Sequence, residues 1–189
     1  VGARFLSRCL QAMPSEEVRT ILVATSGDTG SAVASAFYQV EGIRVVVLYP
    51  KGQISKRQQQ QITCWGGNVL AIAVDGDFDT CQRLVKAALI DPWWLDRTQI
   101  NTSNSINIGR FLPQITYYAY HSWRWFIETG QVAQWIVPAG NLGNVTAAYV
   151  AQSIGMPIGA IVMSSNANRV MADYLDTGQY KPRQSMATL

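Results

Sequence analysis

Apolar positions in this chain recur with two different periods. Short β-branched or apolar runs at Thr20 to Ala24, Arg44 to Tyr49, Val69 to Val74, Gln134 to Val137 and Ile158 to Met163 stand between turn residues, which marks buried strands. Helical spacing fills the intervals. It is carried by Phe5, Leu6, Cys9, Leu10 and Met13, by Val33, Ala36 and Phe37, by Cys81, Leu84, Val85 and Ala88, and by Ala147, Ala148, Ala151 and Ile154. Further helices are expected after Ser26–Gly30, ending near Gly42, and over Ala167 to Leu175. Ser55 followed by Gln58 has the form of a capping box and opens a polar helix that runs to Gly66. Strand and helix thus alternate, so the expected fold class is α/β, with parallel open sheets and flanking helices.

Asp91 to Thr102 has no clean period, and a domain boundary is expected there. This gives a smaller α/β domain over 1–98 and an incomplete larger one over 99–189. Asn104-Ser105 reads as the cap of a long helix whose first turn carries Asn107 and Arg110. The aromatic stripe of Tyr117, Tyr118, Trp123 and Phe126, with His121 inside it, reads as core packing.

With 48% hydrophobic and 14% charged residues the chain is globular rather than disordered. Its net charge of +3 is scattered, with only Lys56-Arg57 adjacent, so nucleic acid and membrane surfaces are not expected partners. Cys9, Cys64 and Cys81 lack CxxC spacing and His121 is the single histidine, which argues against a metal site and a disulfide framework. A cytoplasmic setting is the expectation. The helix from Val1 has no initiator Met or cap, and Met186-Ala187-Thr188-Leu189 stops without a closing element, so the chain reads as an internal fragment.

Two turns carry candidate chemistry. Ser26-Gly27-Asp28-Thr29-Gly30 follows an apolar strand and opens onto a small-residue helix, where ligands bind in open α/β sheets and free amides favour an anion. Pro138-Ala139-Gly140-Asn141-Leu142-Gly143-Asn144 repeats the theme before a second helix. Neither has GxGxxG or GxxxxGK[ST] spacing, which disfavours a dinucleotide or P-loop site; an ordinary strand-to-helix turn also fits their composition. Lys51, in Tyr49-Pro50-Lys51-Gly52, stands at another strand's carboxyl end.

Together with Asn104-Ser105-Ile106-Asn107-Ile108-Gly109-Arg110, these motifs resemble the threonine synthase family of pyridoxal-phosphate enzymes, of the tryptophan-synthase β fold (fold type II). The resemblance runs over the whole chain. It implies conversion of O-phosphohomoserine and water to threonine and phosphate, with pyridoxal 5'-phosphate as cofactor. It also implies that Gly140, Asn141, Leu142, Gly143 and Asn144 hold the cofactor phosphate through backbone donors and that Asp28 approaches the ring. Ser26, Gly27 and Thr29 would take the substrate carboxylate; Lys51, Asn104, Ser105 and Arg110 would take its phosphate. The family's cofactor-bearing lysine follows a phenylalanine just ahead of a Gly-Ala-Arg-Phe stretch, which places it upstream of Val1. Lys51, Lys56, Lys86 and Lys181 do not match its position, so no catalytic residue is assigned and the chain by itself is expected to be inactive. Two alternatives stay open. One is another enzyme of the fold, such as a threonine dehydratase or cysteine synthase; the other is a non-catalytic module that binds a phosphorylated metabolite.

Overall fold

The computed structural model describes residues 1–13, 15–105 and 107–183, so Pro14, Ile106 and the closing Met186–Leu189 lie outside the described residues. The chain divides into two compact units, Val1–Arg110 and Phe111–Leu189.

The first unit contains α1 (Gly2–Ala12), β1 (Arg19–Ala24), α2 (Asp28–Phe37), β2 (Ile43–Pro50), α3 (Lys56–Thr63), β3 (Val69–Val74), α4 (Phe78–Ile90), α5 (Pro92–Thr98) and β4 (Ile100–Thr102). Its strands form one parallel sheet in the order β3-β2-β1-β4, with Ile21 paired to Val45, Val47 to Ala71 and Leu22 to Thr102. Successive side chains of a strand point to opposite faces, so β1 feeds two cores. Ile21 and Val23 join Val45, Val47, Val33, Phe37, Ile62, Leu6 and Leu10 on one side; Leu22 and Ala24 join Leu48, Cys81 and Val85 on the other. Each Val, Leu, Ile or Phe among them, fully withdrawn from water, contributes about 1.5–3 kcal/mol. The inner strands therefore read as unbroken apolar runs, whereas Leu70 and Ile72 of the edge strand β3 remain exposed.

Three sequence expectations change. The stretch without a period is α5 and β4: Asp91 Oδ1 accepts the Trp93 amide at 2.8 Å with Pro92 at the first helical turn, and three residues of strand are too short to display alternation. Helix α2 ends at Phe37 rather than near Gly42, because Asn68 takes over the chain there. Its Nδ2 donates to the Phe37 and Ile43 carbonyls at 2.8 and 2.9 Å, and its Oδ1 accepts the amide of Gln39, which sits at φ 56°. The long helix α6 (Ile108–Thr129) starts later than Asn104-Ser105, and Asn107 Oδ1 accepts the Gly109 amide at 2.8 Å at its entrance.

The second unit holds most of α6, then β5 (Ala133–Pro138), α7 (Gly143–Ser153), β6 (Ile158–Ser164) and α8 (Val170–Thr177). Parallel β5 and β6 form a two-stranded sheet, and Tyr118, Val137, Ala147, Ala148, Ala151 and Ile158 make its core. Two strands cover little of a 22-residue helix. Tyr118 is buried edge-on against Trp135 at 4.8 Å, but Tyr117, Trp123, Phe126 and His121 are exposed, which corrects the expectation that the whole stripe is core.

Candidate functional site

In a parallel sheet all strands end on the same edge. In the first unit this brings the residues after β1, β2, β3 and β4 to one rim: Ser26–Thr29, Lys51, Asp75 and Asn104–Ser105. The rim is wired by side chains that composition alone does not reveal. Thr25, fully buried, accepts the amides of Gly27 and Gly30 at its Oγ1 (3.0 and 2.9 Å) and donates the same hydroxyl to the Gly27 carbonyl at 2.8 Å. A Cβ at Gly30 would lie 2.5 Å from Thr25 Cγ2, so only glycine lets the turn close on that hydroxyl. Gln58 completes the capping box, with its amide taking Ser55 Oγ at 3.2 Å and its Oε1 accepting the Ser55 amide at 3.1 Å; its Nε2 then donates to Asp28 Oδ1 at 3.2 Å. Asp28 is thereby held in the first turn of α2, where a carboxylate complements the helix dipole. Ser26 is exposed and Thr29 half-buried.

Asn104 does not cap α6. Its Oδ1 accepts the Ala24 amide at 3.2 Å, tying the end of β4 to the end of β1. With the oxygen occupied, its Nδ2 is the group left to meet a ligand. Arg110, half-buried at the start of α6, donates Nη1 to the Ser103 carbonyl at 2.6 Å, and burial pulls its guanidinium pKa down from the ordinary value. Close contact between α1 and this corner depends on two glycines. A Cβ on Gly2 would stand 2.6 Å from the Arg110 carbonyl, and one on Gly109 2.7 Å from Leu6 Cδ1. Ser103 Oγ is buried without a hydrogen-bond partner among the described residues.

In the second unit β5 leads through Gly140–Leu142 into α7, whose N-terminus has no side-chain cap and no acidic residue in its first turn. Nothing lies within 4 Å of a Cβ built on Gly140, so the turn faces open space. Asn144 points away from that space into α6: Tyr118 donates to its Oδ1 at 2.6 Å, and its Nδ2 donates to Gln114 Oε1 at 2.8 Å and to the Tyr117 hydroxyl. Burial, then the neighbouring Tyr117, push the Tyr118 pKa up, which keeps it a neutral donor. What the turn presents is backbone N–H and the positive end of a helix, an arrangement suited to an anion and especially to phosphate. Among the described residues no group of His, Cys, Asp and Glu could hold a metal ion, and no helix is long and apolar enough to cross a membrane.

A family model described as pyridoxal-phosphate dependent enzyme matches residues 2–189, and the chain belongs to that family. Its structural neighbours place it in fold type II. The particular relatives are threonine synthases. That of Serratia marcescens is 44% identical over 195 residues, covering 100% of this chain and 44% of the relative. That of Escherichia coli K12 is 42% identical over 188 residues with the same coverage. Among solved structures, threonine synthase from Escherichia coli superposes with a TM-score of 0.89 at 40% identity, over 100% of this chain and 44% of that one. The PLP-bound threonine synthase from Brucella melitensis gives 0.86 at 34% identity, over 100% of this chain and 41% of its own. The chain thus spans under half the length of the relatives it matches. The uncapped, acid-free entrance of α7 and the open space at Gly140 fit the phosphate of the family's cofactor.

Proposed function

We propose that this chain supplies the substrate-phosphate and cofactor-phosphate contacts of a threonine synthase, acting on O-phosphohomoserine and water to give threonine and inorganic phosphate. The observation that carries this reading is the rim of the first sheet. There a fixed guanidinium, an ammonium, an amide N–H₂ and a hydroxyl (Arg110, Lys51, Asn104 and Ser105) gather beside a second turn rich in hydroxyls and amides. A phosphate dianion calls for cations together with neutral donors, and Arg serves it with two parallel N–H groups.

In this scheme Ser26, Gly27 and Thr29 receive the substrate carboxylate, on a turn held in shape by Thr25 and Gln58. Asn104 presents Nδ2 to the phosphate because Ala24 fixes its oxygen, and Arg110 is aimed by the Ser103 carbonyl. Gly140, Asn141, Leu142, Gly143 and Asn144 offer amides to the cofactor phosphate, and Asp28, restrained by Gln58, is assigned to the cofactor as well. When bound, pyridoxal 5'-phosphate supplies the electron sink for exchange of phosphate at the γ-carbon for water at the β-carbon. The chain's own residues contribute orientation and charge placement.

The test is Arg110→Ala in the full-length holoenzyme. Losing charge-assisted hydrogen bonds worth about 1.5–3 kcal/mol should raise KM for O-phosphohomoserine roughly 10- to 100-fold, with cofactor affinity unchanged. Unaltered kinetics would remove the substrate assignment.

A further inference from the structure

One residue on the same rim, Asp75, has no part in that binding scheme although it is paired with one that does. β2 and β3 are parallel neighbours whose last partners are Pro50 and Val74, so Lys51 and Asp75 leave the sheet side by side. The Lys51 amide donates to the Val74 carbonyl at 2.9 Å, and Gln53 Nε2 reaches the Gly76 carbonyl at 3.3 Å, which keeps the two exits together. Lys51 Nζ then lies 3.2 Å from Asp75 Oδ1, with the two side chains 66% and 87% exposed.

We propose that Asp75 is an exchangeable counter-ion of Lys51. It holds the ammonium while the rim is empty, yields it to the substrate phosphate, and takes it back as inorganic phosphate leaves. This rests on the reading of Lys51 as a phosphate ligand. An ion pair this open to water is weak, so it orients Lys51 without locking it. An arriving dianion carries twice the charge of the carboxylate and displaces it. The displaced carboxylate stays close because the two hydrogen bonds to Val74 and Gly76 fix its origin, and like-charge repulsion then lowers affinity for any phosphate on Lys51. Asp75 therefore weakens binding of the substrate and of the product phosphate alike, and favours release.

The experiment compares wild type, Asp75→Asn, Asp75→Glu, Lys51→Ala and the Asp75→Asn/Lys51→Ala pair as full-length holoenzymes, with inorganic phosphate as competitive inhibitor. At low ionic strength Asp75→Asn should lower both the Ki of inorganic phosphate and the KM for O-phosphohomoserine by about two- to fivefold with no rise in kcat, the range of an exposed ion pair. Asp75→Glu should behave as wild type. Added salt should shrink the effect, and in the Lys51→Ala background, where only the residual repulsion remains, Asp75→Asn should have a clearly smaller effect. An unchanged or higher Ki in Asp75→Asn, with Lys51→Ala still weakening phosphate, overturns the proposal alone. If Lys51→Ala leaves the Ki unchanged, the reading of Lys51 fails and the proposal falls with it.

Discussion

The turn at Ser26–Thr29 and the turn at Gly140–Asn144 share one layout, an apolar parallel strand running into a helix of small residues, yet they are built in opposite ways. The first is held from within. A buried threonine hydroxyl consumes two of its amides, and Gln58 restrains its carboxylate from a neighbouring helix. The second has no side-chain cap on its helix, and Asn144, gripped by Tyr118, Gln114 and Tyr117, ties it to α6 from outside. The difference suits the roles proposed for them: a turn whose hydroxyls meet a ligand can satisfy its backbone internally, whereas a turn whose backbone meets the ligand cannot.

The contrast can be broken most sharply at the glycines. Gly30→Ala drives a methyl into Thr25 and should destabilise the protein by about 2–3 kcal/mol, read as a lowered denaturant midpoint. Gly140→Ala meets empty space, so stability should move by less than about 0.5 kcal/mol while cofactor affinity falls severalfold. Equal effects at the two positions would erase the distinction. Asn144→Ala releases the grip of α6 and should weaken cofactor binding about tenfold, the effect of a supporting residue behind a binding group, seen in fluorescence titration with pyridoxal 5'-phosphate.

The smallest effect concerns a turn of the ordinary kind, where Asp77 accepts the Thr80 amide and hydroxyl at 2.8 and 2.7 Å. The Thr80 hydroxyl, then its amide, hold the Asp77 carboxyl below the usual range. A depressed pKa stabilises the fold above the unfolded-state value and loses that contribution as pH falls through the folded-state value. Asp77→Asn keeps a capping group that does not titrate in this range, so it should flatten the acid limb of the stability profile and leave neutral pH nearly unaffected.

Most of the architecture was legible because inner strands declare themselves. The apolar runs of β1 and β2 follow from burial on both faces, and Ser55 with Gln58 announced a helix start that formed as expected. Other features lie in long-range partners that one sequence does not display. Thr25 looks like the last residue of a strand until Gly30 folds back on it. Asn104 looks like a helix cap until the sheet brings Ala24, 80 residues earlier, beside it. The aromatic stripe of α6 misleads for a related reason: helical spacing fixes which side chains share a face, while exposure depends on how many strands lie beneath it.

Gly2 and Gly109 let the first helix rest directly on the start of the sixth, Gly2 against the carbonyl of Arg110 and Leu6 against Gly109. The bearing of that guanidinium is therefore inherited from the opposite end of its unit. On the proposed reading of Arg110, drift in α1, by repacking Leu6 or Leu10, should retune grip on a phosphorylated substrate while every residue that touches it stays the same.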